Sequence, residues 1–166
     1  YPTKSLSGAG VVYKFCAYLD KLLDIDYSES FMDLAAVGII ADIMDLSSYE
    51  VRFIIEQGLQ NITNPFLKEM VKKQEFKVQG SLNPFKVAFY IAPFINAVNR
   101  SGNAQERLLL FESMLTFRAY EQIPSTKRGE KGMTETRVEQ AVRTCGNVKH
   151  PQQKTIQKHN TESKIT

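Results

Sequence analysis

An almost uninterrupted apolar run, DLAAVGIIADIMDL, occupies residues 33–46. Apolar residues point in nearly every direction around a helix built from it, a pattern that favours a fully buried helix over an amphipathic surface helix. Asp42 interrupts the run. An ionised carboxylate in apolar surroundings is costly unless it is paired, hydrogen-bonded or bound to a metal. We therefore predict a buried helix over 33–45 whose Asp42 needs a compensating partner.

A glycine-bearing turn precedes the first helical pattern. Residues 7–10 read SGAG, and apolar residues then recur at helical spacing as far as Leu22. The amides at the start of such a helix can bind a phosphate or a carboxylate. Alternatively, Gly8 and Gly10 simply let the start of the helix pack closely, and the residues alone leave both interpretations open.

Further helices are predicted after the apolar run. Ser47 and Glu50 have the spacing of a capping box, so a second helix is expected from 48 to about 58, which places Asp42 in the last turn of the preceding helix. There the helix dipole disfavours an anion and favours a compensating cation. Gly38, one turn earlier, leaves room for another backbone to approach.

The middle of the chain is less regular. Asn64 followed by proline predicts another helix start. The apolar run at 87–95 fits either a strand or a buried helix. Residues 96–102 read as a polar turn, after which Asn103 can cap the next helix.

The last third is polar and basic. Residues 123–134 contain two glycines and few apolar side chains and read as a loop or linker, followed from 135 by a long exposed helix or by two helices interrupted at Gly146 and Pro151. Residues 118–166 carry 10 Lys/Arg and 5 Asp/Glu, which leaves 21 − 10 = 11 and 18 − 5 = 13 for the preceding residues. This excess is compatible with a polyanionic partner and equally with a solvated basic helix.

Composition limits the function classes. With 166 residues and 43% hydrophobic content, the chain can bury a core as one domain or parts of two. Its two cysteines form no CxxC pair, so we expect reduced thiols in a cytoplasmic protein, and no apolar run approaches the roughly 20 residues of a membrane span. The two histidines lie in the polar tail, and no catalytic spacing, complete phosphate loop, HExxH or EF-hand loop is present, so no catalytic residue is assigned.

Four segments, taken together, carry a family resemblance. In order they are YP(x)2SLSGAGVVYK, DLAAVGIIADIMDL, IAPFINAVNRSG and the polar helix with Asn147. From residue 1 to about 158 the chain thereby resembles the RecJ-type single-strand DNA exonucleases of the DHH phosphoesterase superfamily. The resemblance implies a mostly α chain: the C-terminal part of an α/β DHH-type core domain at 1–80, a connector and the start of a DHH-associated domain at 81–122, and a basic loop with a polar, partly flexible helix at 123–166.

The resemblance also implies a site. Asp42 matches a ligand to Mn²⁺ or Mg²⁺ in a two-metal phosphodiesterase centre, which would supply the cation that this carboxylate needs. A glycine turn with a lysine would line the phosphate-facing edge of the core, and a motif in the second domain would grip the nucleic-acid backbone, a task suited to the planar fork of arginine. The substrate-binding residues implied in this way are Gly8, Gly10, Lys14, Asn96 and Arg100.

Departures from the family pattern qualify that picture. Phe94 stands where the family commonly has Arg, Asp45 replaces a Pro, Ser7 a Cys and Asn99 a Gly. The upstream DxD and DHH motifs are missing and would precede residue 1 in a longer parent. We therefore expect a central fragment of a divergent, phage-like member, inactive alone, whose parent hydrolyses single-stranded DNA from the 5′ end in DNA repair and recombination.

Two other functions remain open. A phosphodiesterase of the same superfamily could act on short oligonucleotides or cyclic dinucleotides, and dependence of activity on substrate length would distinguish it. A scaffold without catalytic activity could bind DNA or replication proteins. Presence of the DxD and DHH motifs upstream would favour catalysis, and their absence the scaffold.

Overall fold

The structure is a computed structural model that describes the backbone of residues 6–162 and the side chains as far as residue 151. Predictions that concern residues 1–5, including the start of the first quoted motif, lie outside this range. The described chain is mainly helical, which confirms the mostly α class. It divides into two compact units, Tyr1–Ala92 and Pro93–Thr166. The DHH-type architecture and the three-part division at 80 and 122 stay predictions.

The N-terminal unit is built from helices around one apolar core. Its largest fully buried side chains include Phe66, Ile39, Ile54, Leu67 and Met70. The elements, in chain order, are α1 (Gly8–Leu23), a 3₁₀ turn (Ser28–Phe31), α2 (Met32–Ala41), α3 (Tyr49–Gln60), α4 (Pro65–Lys73), α5 (Glu75–Val78) and α6 (Pro84–Tyr90).

Local capping fixes two of these helix starts where the sequence predicts them. The Ser7 hydroxyl accepts a hydrogen bond from the Gly10 amide at 3.3 Å, so α1 begins at the glycine turn. The Asn64 side chain accepts from the Phe66 amide at 3.0 Å, and the proline that follows it stands in the first turn of α4.

The apolar helix ends earlier than predicted. It stops at Ala41 instead of near residue 45, because Ile43 adopts a left-handed conformation with φ 53°. The Met44 amide donates to the Ile39 carbonyl, and the Ile43 amide donates to the Ile40 carbonyl. These two bonds form a Schellman motif, which closes the helix at its last turn.

The buried carboxylate of this helix is Asp33 and not Asp42. Asp33 is 2% exposed, and its Oδ2 accepts hydrogen bonds from the amides of Thr63 and Asn64 at 2.8 and 2.7 Å. The Leu34 amide donates to its Oδ1 at 2.7 Å. Asp33 therefore ties the start of α2 to the connection before α4, and the predicted burial of Asp42 is wrong.

The C-terminal unit begins within a helix that was predicted as a strand or buried helix followed by a polar turn. Residues 96–101 are helical, because Phe94, Ala97 and Val98 recur at helical spacing and are buried. The helical alternative is thus confirmed and the polar turn is wrong. The elements are α7 (Ala92–Ser101), α8 (Ala104–Met114), β1 (Gln122–Pro124), β2 (Thr134–Thr136) and α9 (Arg137–Glu162).

The predicted loop is the connection of a short antiparallel hairpin, whose two strands were not predicted. Gln122 pairs with Thr136 and Pro124 with Thr134, so residues 125–133 form the hairpin loop. The helix that follows runs without interruption past Gly146 and Pro151, which corrects the alternative of two helices. It is not simply exposed, because Val138, Ala141, Val142 and Cys145 are buried.

Within residues 6–162, no helix combines the length and the apolar content needed to cross a bilayer.

Candidate functional site

The two helices that carry the predicted metal and phosphate residues pack side by side in opposite directions. At one end, Ala9 of α1 lies against Gly38 of α2. A groove of about 430 Å³, whose lining includes Gly8 and Ala9, extends along the pair to Cys16 of α1 and to Phe31 and Leu34 near the start of α2. The N-terminus of α1 and the C-terminus of α2 therefore lie at the same end of the pair.

The glycines of this pair have different environments. A Cβ built on Gly38 would overlap the Cβ of Ala9, and one built on Gly10 would lie 3.3 Å from Cδ1 of Ile39. A Cβ on Gly8 would meet nothing within 4 Å. Gly38 thus allows the close approach predicted for it, Gly10 is a packing residue, and Gly8 faces solvent.

Asp42 caps the C-terminus of α2 and is exposed. Its amide donates to the Gly38 carbonyl at 3.1 Å. Among the described residues, no hydrogen bond or ion pair engages its carboxylate. Because the helix closes before Asp42, the side chain avoids the desolvation cost that the apolar run suggested. Its role as a metal ligand stays a prediction.

The two helix ends have opposite electrostatic character. The last carbonyls of α2 carry partial negative charge beside the Asp42 carboxylate, which favours a cation. The first amides of α1 carry partial positive charge, and no acidic residue lies in its first turn, which favours an anion. This end of the pair is therefore suited to a cation and a phosphate side by side.

Lys14 lies on α1 and forms an ion pair with Glu50 of α3, with 2.8 Å between Nζ and Oε1. The charge of Lys14 is thus compensated within the unit, and its predicted contact with phosphate stays untested.

The predicted capping box of α3 is absent. The Ser47 hydroxyl donates to Asp45 instead, and Ser48 makes no side-chain capping bond.

Asn96 and Arg100 lie on α7, in the C-terminal unit. Asn96 is half-buried and Arg100 is exposed. Phe94 stands at the position where the family resemblance implies Arg. It is 5% exposed, and the Lys149 ammonium lies 3.8 Å from the centroid of its ring. Phe94 therefore packs inside the unit and contributes a cation–π contact instead of a phosphate contact.

The described residues fit a metal site only in part. No group of three or more His, Cys, Asp or Glu side chains within them could hold a metal ion. Asp45 is close in sequence to Asp42, but it accepts hydrogen bonds from the hydroxyl and amide of Ser47, which hold its pKa below the usual range. Asp42 can supply one of the roughly six ligands of a hard cation, and the others would come from outside this range.

A polar cluster beneath the hairpin of the C-terminal unit was not predicted. Glu135 is 4% exposed, and its Oε1 accepts hydrogen bonds from Gln140, Thr126 and Arg143. Burial raises the pKa of Glu135, but these hydrogen bonds and the Arg143 charge outweigh it and lower the pKa below its usual range. No local signal marks this acid, because its partners lie on the hairpin loop and on α9.

A second groove is lined by none of the predicted site residues. It has a volume of about 790 Å³ and is bounded by α3 and residues 80–84. Its lining is mainly apolar, with Arg52 and Glu56 at its edge. The groove and the predicted site residues therefore indicate different positions for a functional site. We prefer the α1–α2 end, because its charged and polar groups favour particular ligands.

No family model matches the chain. The known proteins to which it is similar are all named as exonucleases specific for single-stranded DNA. The prophage-derived YorK of Bacillus subtilis, whose name describes a single-strand DNA-specific exonuclease, is 36% identical over 165 residues, which is 99% of this chain and 28% of YorK. The single-stranded-DNA-specific exonucleases RecJ of Bacillus subtilis and Thermus thermophilus are 38% and 33% identical over 125 and 105 residues. These cover 73% and 63% of this chain and 15% of each RecJ.

Proposed function

Because this chain belongs to the family of the single-strand-DNA-specific exonucleases RecJ and YorK, we propose that it contributes one part of a nuclease that hydrolyses single-stranded DNA from the 5′ end. The chain spans about 28% of the length of YorK, so the activity belongs to the longer polypeptide. The observation that carries the proposal is the match over 99% of this chain, which includes the helix ending at Asp42.

In this proposal Asp42 holds a manganese or magnesium ion. Its carboxylate is exposed at the negative end of α2 and is thus available to a cation. The bound ion would supply Lewis acidity at the phosphodiester. The amides at Gly8 and Ala9 face the same end of the helix pair and would bind a phosphate of the DNA, with Gly8 leaving space for it.

The DNA-binding roles of Asn96 and Arg100 belong to the same proposal. Arg100 is exposed and can form a bidentate pair with a phosphate, whereas Asn96 is half-buried and can donate its amide. The 166-residue chain by itself is proposed to lack turnover, since it offers a single metal ligand.

The test is manganese-dependent degradation of a labelled single-stranded oligonucleotide by the complete polypeptide that contains this chain. Asp42→Asn should lower the rate about a hundred- to a thousandfold, because metal catalysis contributes several kcal/mol and each 1.36 kcal/mol is tenfold. Asp26→Asn, an exposed aspartate of the same unit, is the control and should retain activity. Full activity of Asp42→Asn would refute the metal role. Manganese-dependent activity of the 166-residue chain alone, abolished by Asp42→Ala, would refute the proposal that the chain is only part of the nuclease.

A further inference from the structure

The loop of the hairpin in the C-terminal unit carries a concentration of positive charge. Residues 125–133, STKRGEKGM, contain three cations and one carboxylate. Lys127 lies within 4 Å of Glu130 and Glu135 and is compensated by them. Arg128 and Lys131 are exposed, and neither forms an ion pair with any side chain of the described range. The loop therefore presents two uncompensated cations to solvent.

This loop is held in place instead of being a flexible tether. The Ser125 amide donates to the Met133 carbonyl at 2.8 Å, which closes its base. The Ser125 hydroxyl and the Thr126 amide donate to the buried Glu135 carboxylate at 3.2 and 3.1 Å. A buried acid with its hydrogen-bond partners thus anchors the ends of the loop, which lowers the backbone entropy lost when the cations bind a ligand.

The carboxylates next to the hairpin do not cancel the loop charge. Glu112 accepts from both Arg118 and Arg137, and Glu121 accepts from the same two guanidinium groups. Two acids and two bases therefore compensate one another at the base of the hairpin. Glu139, in the first turn of α9, is a further exposed carboxylate next to the hairpin, and it accepts from the Thr136 amide and hydroxyl. Among the described side chains it forms no ion pair with Arg128 or Lys131, so neither cation is directly compensated.

Exposed aromatic rings lie in the segment joined to the base of the hairpin. Phe117 is 79% exposed and Tyr120 is 60% exposed. The Val138 amide donates to the Ala119 carbonyl at 2.9 Å, which fixes this segment to the first turn of α9 directly after β2. Cations that follow a backbone and aromatic rings that stack on bases are the two features by which proteins bind single-stranded nucleic acid.

We propose that the hairpin loop 125–133 is a binding element for single-stranded nucleic acid, in which Arg128 and Lys131 contact phosphates, while Phe117 and Tyr120, in the segment joined to the base of the hairpin, offer stacking surfaces. The inference rests on the proposed nuclease function for the identity of the ligand. It assigns that ligand a contact separate from Asp42 and from the helix pair of the N-terminal unit. The loop would act on affinity and not on the chemical step.

The test is fluorescence anisotropy of a labelled oligothymidylate with the 166-residue chain over a range of salt concentrations. Arg128→Ala/Lys131→Ala should reduce the slope of log K against log salt by about 1.4, because each phosphate contact on a single strand contributes about 0.7. By the same relation, affinity should fall about 25-fold at about 0.1 M salt. The matched control, Lys73→Ala/Lys77→Ala, removes two exposed cations from α4 and α5 and should leave the slope within error.

Each other outcome overturns the inference. Equal losses in the two double variants would mean that net charge alone governs binding, and competition by polyglutamate as effective as by oligothymidylate would exclude nucleic-acid recognition. A wild-type chain that fails to bind the strand also refutes it. None of these results bears on Asp42, whose variant is assayed by manganese-dependent turnover. Far-UV circular dichroism and the midpoint of thermal unfolding verify that each variant is folded.

Discussion

At the scale of single residues, Asp33 has a structural role that its chemistry explains. Its carboxylate is buried and accepts the amides of Thr63 and Asn64, which lie about 30 positions later in the chain. We predict that Asp33→Ala lowers the free energy of unfolding by about 2–4 kcal/mol, because the buried Asn64 amide and the part-buried Thr63 amide lose their acceptor and each loss costs about 1–3 kcal/mol. Urea unfolding followed by circular dichroism measures the change.

The control for Asp33 is Asp26, an exposed aspartate in the turn before α2. Asp26→Ala should change the free energy of unfolding by less than about 0.5 kcal/mol, as surface substitutions usually do. Equal losses in the two variants would contradict the role assigned to the Asp33 hydrogen bonds.

The contrast between Asp33 and Asp42 shows what residue-level reasoning could recover. The sequence predicts a buried, partnered carboxylate at Asp42, and this prediction is wrong, because Asp42 is exposed and the buried carboxylate is Asp33. The end of α2 depends on the left-handed conformation of Ile43, a β-branched residue that rarely adopts it. The partners of Asp33 are distant in sequence, so neither fact could be read from neighbouring residues.

At the scale of elements, the close contact of α1 and α2 makes a direct prediction. Gly38→Ala should lower the free energy of unfolding by about 1–3 kcal/mol, because the added methyl overlaps Ala9 and must separate the two helices. Gly8 precedes Ala9 in the first turn of α1 but is open to solvent, so Gly8→Ala should change the free energy of unfolding by less than about 1 kcal/mol. Thermal unfolding of both variants measures the difference.

The double variant Ala9→Gly/Gly38→Ala decides whether the overlap is the cause. Removing the Ala9 methyl restores the space, so the double variant should regain part of the stability that Gly38→Ala loses, less the helix propensity lost at residue 9. If the double variant loses more free energy of unfolding than the two single variants lose together, a different contact is responsible.

Elements with local signals were the ones predicted well. Asn64 and Asn103 start helices because their side chains cap amides two or three residues away, which is visible in sequence. The strands of the hairpin have three residues each and depend on the Glu135 cluster. Such short strands carry no periodicity, so this loop could not be distinguished from a linker.

At the scale of the whole molecule, one thiol in each unit allows the units to be followed separately. Cys145 is buried in the C-terminal unit, and burial raises its pKa from 9.0 to about 12, whereas Cys16 of the N-terminal unit is half-buried. We predict that Cys16→Ser leaves a folded chain almost unreactive toward a thiol reagent near neutral pH. Three pKa units lower the thiolate fraction about a thousandfold, and the thiolate is the nucleophile.

Increasing denaturant should restore the reactivity of Cys145 along the unfolding curve of its own unit. The reciprocal variant, Cys145→Ala, reports Cys16 and serves as the control for reagent access. If Cys145 reacts as quickly as an exposed thiol in the absence of denaturant, the burial described for it is wrong.

Family membership was predictable from the order of four motifs, and the match to YorK over 99% of the chain confirms it. The predicted metal and phosphate residues Asp42 and Gly8 lie at one end of a helix pair, which sequence alone did not reveal. Asn96 and Arg100 lie on a helix of the other unit. The rest of the proposed metal site could not be predicted, because the described residues contain no group of three or more His, Cys, Asp or Glu side chains that could hold a metal ion.

The contact between Ala9 and Gly38 also constrains how related sequences can diverge. These two positions, 29 residues apart, share one small volume that holds a single methyl group. A methyl group gained at one position must therefore be lost at the other while the helices keep their spacing. Across an alignment of homologues the two positions should covary in side-chain size, with a small residue at both and a glycine at one of them.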